Sequence, residues 1–126
     1  MLGTSDLTAL VGSVRFDEAR AFYQDTLGLT LLSEDPFAAV FDAHGTMLRL
    51  SRVGEFTPVP FAVLGWGVSN IEDTIDGLAD RGVVFERYEG MEQDERGIWT
   101  VPGAGVRIAW FKDPDGNTLS LTEAPA

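Results

Sequence analysis

Cysteine is absent from this chain of 126 residues, and histidine occurs only once, at position 44. Without cysteine there can be no disulfide framework, no thiolate metal site and no cysteine nucleophile. No run of apolar residues approaches the roughly 20 that a membrane-spanning helix needs. The first residues, MLGTSDLT, lack a basic stretch followed by an apolar run, so the sequence predicts no signal peptide and favours a cytoplasmic protein.

Basic residues are also scarce, because nine Lys and Arg stand against 20 Asp and Glu, for a formal net charge of −11. Phosphate binding requires clustered Lys and Arg, so neither nucleic acid nor an anionic membrane is an expected partner. The negative field is compatible with a cationic ligand, although acidity for solubility alone is the stronger interpretation. Hydrophobic residues make up 44% of the chain, which is typical of a globular protein.

Two related halves, about 5–53 and 60–123, are present within a single predicted domain that spans 1–126. Each half has a strand candidate, then an amphipathic helix that ends at a glycine, then three more strand candidates. The helices are 17–28, ending at Gly28, and 71–81, followed by Gly82. The strand candidates are 7–14, 29–32, 37–42 and 46–52, then 61–68, 83–85, 107–112 and 118–123. The predicted fold is α+β, with two βαβββ modules forming a curved mixed sheet around a cavity and the helices outside.

Alternation along the strands indicates which side chains meet the helices. Leu48 and Leu50 alternate with polar or mixed neighbours, and Leu119 and Leu121 do the same. The apolar face is expected to pack on a helix, and the mixed face to line the cavity. In strand 107–112 this places Trp110 on the cavity and Phe111 on the helix side, with the reversed phase as the alternative.

Two motifs resemble the vicinal oxygen chelate superfamily, which includes glyoxalase I, extradiol dioxygenases, and fosfomycin- and bleomycin-resistance proteins. They are FYQDTLGL at 22–29 and WFKDPDGN at 110–117, and GWGVSNI at 65–71 fits the start of the second half. The resemblance covers nearly the whole chain and implies the same duplicated fold. Activities differ widely within that superfamily, so the resemblance alone names no reaction.

Metal ligands in enzymes of that superfamily are usually His and Glu, and the resemblance assigns their positions here to Thr8, Arg49, Val63 and Ser120. Val63 cannot coordinate a metal, Arg49 is positively charged, and the hydroxyls of Thr8 and Ser120 are weak neutral donors. Three or four good ligands are normally needed, so the sequence predicts neither a metal nor another cofactor. The single His44 falls in a predicted hairpin turn and is interpreted as a solvent-exposed turn residue, not as a catalytic base.

The expected ligand-binding residues share the cavity face of the strands or the long segment between two of them. They are Thr8, Leu10, Met47, Arg49, Val63, Trp99, Ile108, Trp110 and Ser120. Arg49 has two equal interpretations: it recognises a carboxylate or phosphate, or it pairs with an acidic side chain of the protein. Segment 86–105 is either a lid over the pocket or a solvated connection with Trp99 packed on the sheet edge or on a second subunit.

We therefore expect a homodimeric, metal-independent protein that binds a small organic molecule, aromatic or cationic, as drug-sequestering resistance proteins do. No catalytic residue is assigned. The alternative is a glyoxalase-like lyase or a dioxygenase-type metalloenzyme with an atypical site. A third interpretation is a protein-interaction domain that has no ligand.

Overall fold

Two units divide the chain in the computed structural model, Met1–Thr57 and Pro58–Ala126, and residues 1–125 are described. Each unit holds one βαβββ module, with a four-stranded mixed sheet of its own. The predicted α+β class with two βαβββ modules is therefore confirmed. The described strands lie in two separate sheets and not in one continuous sheet.

The first unit has strand order β1-β4-β3-β2, in which β1 is parallel to β4 and the remaining neighbours are antiparallel. Its elements are a 3-10 turn Leu2–Thr4, β1 Thr8–Ser13, α1 Phe16–Ala21, a π-helical turn Phe22–Thr26, β2 Thr30–Glu34, β3 Ala38–Ala43 and β4 Thr46–Arg52. The β3–β4 hairpin turns at His44 and Gly45, whose φ angles are 53° and 92°. Two left-handed residues match the right-handed twist of the flanking strands, so the predicted turn is confirmed.

The helix predicted at 17–28 is an α-helix that continues as one π-helical turn. Tyr23 lies in that turn, is fully buried, and its ring centroid is 6.1 Å from that of Phe41 on β3. The segment ends at Gly28, whose φ of 78° is left-handed, and the Leu29 N–H donates to the Tyr23 carbonyl at 3.0 Å. The predicted glycine stop is therefore confirmed, and the helix packs on the sheet through its aromatic residues.

The second unit has strand order β5-β8-β7-β6, with β5 parallel to β8. Its elements are β5 Ala62–Gly67, α2 Ile71–Ala79, β6 Trp99–Thr100, β7 Arg107–Lys112 and β8 Thr118–Glu123. Asn70 caps α2, because its side-chain oxygen accepts from the Asp73 N–H at 3.0 Å. Beyond the helix, Gly82 has a left-handed φ of 91°, as its predicted role as a stop requires.

The strand predicted at 83–85 is wrong, because that segment is irregular and the outer strand of this sheet is β6. Of its apolar side chains, Phe85 packs against the core, with its ring 5.3 Å from the buried Phe111 ring, whereas Val84 is exposed. The Glu86 N–H donates to the Trp110 carbonyl at 2.8 Å, so the chain reaches the edge of β7 just after the predicted strand. Trp99 and Thr100 pair with the beginning of β7 instead.

The core of each unit lies between its helix and one face of its sheet, and the strand alternation predicts that face correctly. The buried apolar residues of the first unit include Val11, Phe16, Ala19, Tyr23, Phe41, Leu48 and Leu50. Those of the second unit include Ile71, Ile75, Ile98, Ala109, Phe111, Leu119 and Leu121. The opposite face of each sheet is more exposed, and it carries the candidate site residues.

Candidate functional site

The open face of the second sheet carries four of the predicted ligand-binding residues. Trp110 pairs with Ser120 on β8, and Ile108 pairs with Trp99 on β6, so these four side chains lie on one face. All four are half-buried, whereas Phe111 is completely buried on the opposite face. The predicted phase of β7 is therefore confirmed.

Three aromatic rings meet on this face, and we call Tyr88, Trp99 and Trp110 the aromatic cluster. The ring centroids of Trp99 and Trp110 are 6.2 Å apart with their planes inclined by 35°. The Tyr88 ring stands edge-on to Trp110 at 5.6 Å and an interplanar angle of 81°. Tyr88 is 38% exposed. Its place in the cluster was missed from the sequence, because it lies in an irregular segment without periodicity to orient it.

The side chain of Gln93 organises the segment that carries Tyr88. Its amide nitrogen donates to the Glu86 carbonyl at 3.0 Å and to the Gly97 carbonyl at 2.8 Å. Its amide oxygen accepts from the Tyr88 N–H at 2.7 Å. Arg87 adds a hydrogen bond to the Asp94 carbonyl at 2.8 Å. This part of segment 86–105 is thus held by its own hydrogen bonds, and Trp99 lies in the edge strand β6.

The surroundings of the aromatic cluster are acidic. Desolvation, and to a lesser extent the Glu86 carboxylate, raise the pKa of the Tyr88 phenol, which therefore stays neutral at physiological pH. Lys112 lies 3.7 Å from Glu86 and partly balances its charge. Glu89 and Glu92 are exposed in the same segment. A cation near the rings would therefore be favoured by the ring faces and by the local field.

An open groove of about 540 Å³ adjoins Trp99. It is lined by Gly90, Glu92, Asp94, Ile98, Trp99, Thr100, Pro102 and Arg107. The Arg107 guanidinium is already bound, with Glu72 at 2.5 Å and Glu123 at 3.1 Å. Because the charge of Arg107 is balanced by these two carboxylates, the polar and aromatic groups that the groove offers a ligand are the carboxylates of Glu92 and Asp94 and the indole of Trp99.

The open face of the first sheet carries the other group of predicted residues. Thr8 pairs with Met47, and Leu10 pairs with Arg49, across the parallel strands β1 and β4. Leu10 is 68% exposed and Met47 47% exposed, and Arg49 is half-buried. The structure therefore brings these four side chains together on one surface.

Arg49 forms no hydrogen bond and no ion pair with any residue in the described range 1–125. Its charge helps to lower the pKa of Asp35, but the larger causes are the backbone N–H groups of Phe37 and Ala38. The interpretation that pairs Arg49 with an acid of the protein is therefore not the arrangement in this structure.

Val63 and Ser120 complete the predicted set. Val63 is 40% exposed at a register irregularity of the edge strand β5, between Ala62 and Leu64. Ser120 lies opposite Gly65, and a Cβ on that glycine would stand 2.7 Å from the Ser120 Oγ. Gly65 thus leaves the space that the serine hydroxyl occupies.

The four positions that the resemblance assigns to metal ligands do not fit a divalent metal. Thr8, Arg49, Val63 and Ser120 offer two neutral hydroxyls, one cation and one hydrocarbon. Within residues 1–125, no three His, Asp or Glu side chains are grouped closely enough to hold a metal ion. His44 is exposed in its turn, as predicted.

Comparison with known proteins identifies the broader group. The model of the Glyoxalase/Bleomycin resistance protein/Dioxygenase superfamily matches residues 8–121. A glyoxalase family protein from Enterococcus faecalis is similar in structure, with a TM-score of 0.78, 20% identity, and coverage of 98% of this chain and 100% of that one. No curated protein matches the sequence.

Two further solved structures have the same fold. A glyoxalase family protein from Bacillus anthracis has a TM-score of 0.73, 19% identity, and coverage of 96% of this chain and 95% of that one. A lactoylglutathione lyase from Agrobacterium tumefaciens has a TM-score of 0.69, 18% identity, and coverage of 95% and 93%. Among the described residues, no helix is long and apolar enough to cross a membrane.

Proposed function

The chain belongs to the glyoxalase/bleomycin resistance protein/dioxygenase superfamily, and we propose that it binds a small aromatic molecule without a metal, as drug-sequestering resistance proteins do. The observation that carries this proposal is the aromatic cluster, in which Trp99 and Trp110 lie 6.2 Å apart on an open sheet face. Half-buried indoles on such a face offer apolar area at little cost in conformational entropy.

The geometry of the rings favours a planar ligand. Two indoles inclined by 35° and 6.2 Å apart are too close to hold a flat molecule between them, but together they offer a surface on which one can stack. Tyr88 packs edge-on against Trp110 and restricts its rotation. The exposed carboxylates of Glu89 and Glu92 favour a ligand that also carries a positive charge.

The alternative is a glyoxalase-like lyase or a dioxygenase-type metalloenzyme. Both chemistries need a Lewis-acidic metal, and positions 8, 49, 63 and 120 supply no adequate ligand set for one. We therefore favour binding over turnover.

Binding is tested by tryptophan fluorescence and thermal shift with matched aromatic probes, such as a naphthylmethyl ammonium ion and naphthylmethanol. A compound that binds the folded state raises the melting temperature, and we expect the ammonium probe to give the larger shift. Trp110→Leu and Trp99→Leu should weaken binding by about tenfold or more, because each removes a stacking surface. Trp66→Phe is the control, since Trp66 pairs with the buried Leu121 and lies on the helix side of the sheet.

Equal affinity in Trp99→Leu, Trp110→Leu and the wild-type protein would contradict the proposal. Metal-dependent turnover of a 2-oxoaldehyde–thiol adduct or of a catechol would establish the enzyme alternative instead.

The sheet edges support a second proposal, that the protein is a homodimer. Strands β1 and β5 are six residues long and stand at the edges of their sheets. A second copy that covers these edges would pair their free backbone N–H and C=O groups, which otherwise promote aggregation. Light scattering at tens of micromolar protein (roughly the range that reveals a modest interface) should give twice the chain mass, and a monomer would contradict this proposal.

A further inference from the structure

Arg49 is a half-buried cation without a partner in the described part of the chain. It projects from β4 onto the open face of the first sheet, with Leu10 beside it on β1 and Val40 beside it on β3. The guanidinium nitrogens of Arg49 are not buried and donate no hydrogen bond within residues 1–125, so their N–H groups are available to a ligand that accepts them.

The acids nearest in sequence and register are already engaged. The Asp35 carboxylate accepts from the N–H groups of Phe37 at 2.7 Å and Ala38 at 2.9 Å. Asp42, diagonal to Arg49 on β3, accepts from the Gly45 N–H at 2.8 Å. Both carboxylates stabilise turns of the backbone, and neither forms a hydrogen bond or an ion pair with the guanidinium.

Three other arginines of the chain form ion pairs with carboxylates. Arg96 binds Asp76 at 2.9 Å, Arg107 binds Glu72 and Glu123, and Arg20 lies 3.2 Å from Glu34. Arg52 and Arg87 form no ion pair but donate hydrogen bonds to backbone carbonyls. Arg49 has neither an ion pair nor a hydrogen bond among residues 1–125, which marks a place where an anion from outside fits.

We propose that Arg49 binds the carboxylate of a small organic acid whose hydrocarbon part lies on Leu10, Val40 and Met47. A guanidinium matches a carboxylate in shape and forms two parallel hydrogen bonds with it. The exposed Leu10 and Met47 offer apolar area next to that charge. One guanidinium neutralises one negative charge, and the overall charge of −11 repels polyanions. The proposal stands independently of ligand binding at the aromatic cluster.

The test is calorimetric titration of the full chain with acetate, butyrate and hexanoate, with hexanamide and inorganic phosphate as comparison probes. We expect affinity to rise with length, by up to about fourfold for each added CH₂ that becomes buried. Hexanoate should bind at least about tenfold more tightly than hexanamide, since a charged hydrogen bond is lost in the amide.

Arg49→Gln should reduce hexanoate affinity by about tenfold or more. Arg52→Gln is the matched control, because Arg52 lies on the same strand but over the Phe16 ring, 4.1 Å from its centroid, on the helix side. This variant removes the same charge and should retain hexanoate affinity.

Four results would overturn the proposal: no carboxylate binds, hexanamide binds as well as hexanoate, phosphate alone binds, or both arginine variants lose affinity equally. If Arg49→Gln does not fold, the comparison of hexanoate with hexanamide on the wild-type protein decides the question by itself.

Discussion

Trp110 and Phe111 are consecutive residues of β7 whose side chains lie on opposite faces of the same sheet. The Phe111 ring is completely buried and lies 5.3 Å from that of Phe85. The Trp110 ring is half-buried and contacts Tyr88 and Trp99. Core packing and the candidate binding surface are therefore separated by a single peptide unit, because successive side chains of a strand alternate.

This alternation predicts opposite outcomes for two alanine variants. Phe111→Ala should lower the free energy of unfolding by about 3–5 kcal/mol, as truncation of a fully buried aromatic does. Trp110→Ala should lower it by less, yet weaken binding of an aromatic probe by about 1–3 kcal/mol. Urea denaturation and fluorescence titration measure the two quantities. Unfolding of Trp110→Ala together with a mild effect of Phe111→Ala would refute the assignment of the faces.

The ion pair between Glu72 and Arg107 predicts a loss of stability in acid. Its hydrogen bonds hold the pKa of the Glu72 carboxyl below its ordinary 4.5. A group whose pKa is depressed on folding stabilises the protein above its unfolded pKa, and this contribution disappears as the pH falls through the folded pKa. Glu72→Gln should therefore be less stable than wild type at pH 7, and the difference should shrink below about pH 4.

Urea unfolding at a series of pH values measures this difference. The exposed Glu89 provides the control, since Glu89→Gln removes a carboxylate outside the Arg107 cluster. An unchanged gap between Glu72→Gln and wild type down to pH 3, a value chosen to lie about a unit or more below ordinary carboxyl pKa values, would show that the ion pair does not contribute.

Two glycines at and beyond α2 should respond to alanine with opposite signs. Gly77 lies inside the helix, and Gly82 follows it with a φ of 91°. A Cβ at either position would meet no other atom within 4 Å, so only the backbone conformation differs. Gly77→Ala should raise the free energy of unfolding by about 0.5–1 kcal/mol, and Gly82→Ala should lower it by about 1–2 kcal/mol. Thermal denaturation of both variants checks this. If both substitutions changed the free energy of unfolding in the same direction, the assigned end of the helix would be contradicted.

Metal analysis tests the ligand set at positions 8, 49, 63 and 120. Protein purified without chelator should contain far less than one equivalent of iron, nickel, zinc or manganese, because these side chains bind such ions weakly. Elemental analysis by mass spectrometry measures the content directly. About one equivalent per chain (roughly the content of a specific site), lost in Thr8→Ala or Ser120→Ala, would overturn metal-independent function.

The order of residues along each short segment predicted most strands and both helix ends correctly. The bounds of β4, β7 and β8 agree with those predicted at 46–52, 107–112 and 118–123. Gly28 and Gly82 have the left-handed conformation expected of helix stops. These features depend on residues a few positions apart, since alternation, capping and turn stereochemistry are all local.

The candidate sites required the tertiary structure. Tyr88 comes to Trp110 only because Gln93 holds the intervening segment by hydrogen bonds, and that segment has no periodic pattern. Composition likewise left open whether Arg49 has a partner within the protein. In the structure, the nearby Asp35 and Asp42 accept from backbone N–H groups of turns and form no ion pair with Arg49. The sequence determined which residues lie on each face of a strand, and long-range packing decided which of them meet, because contacts between distant segments have no local signature.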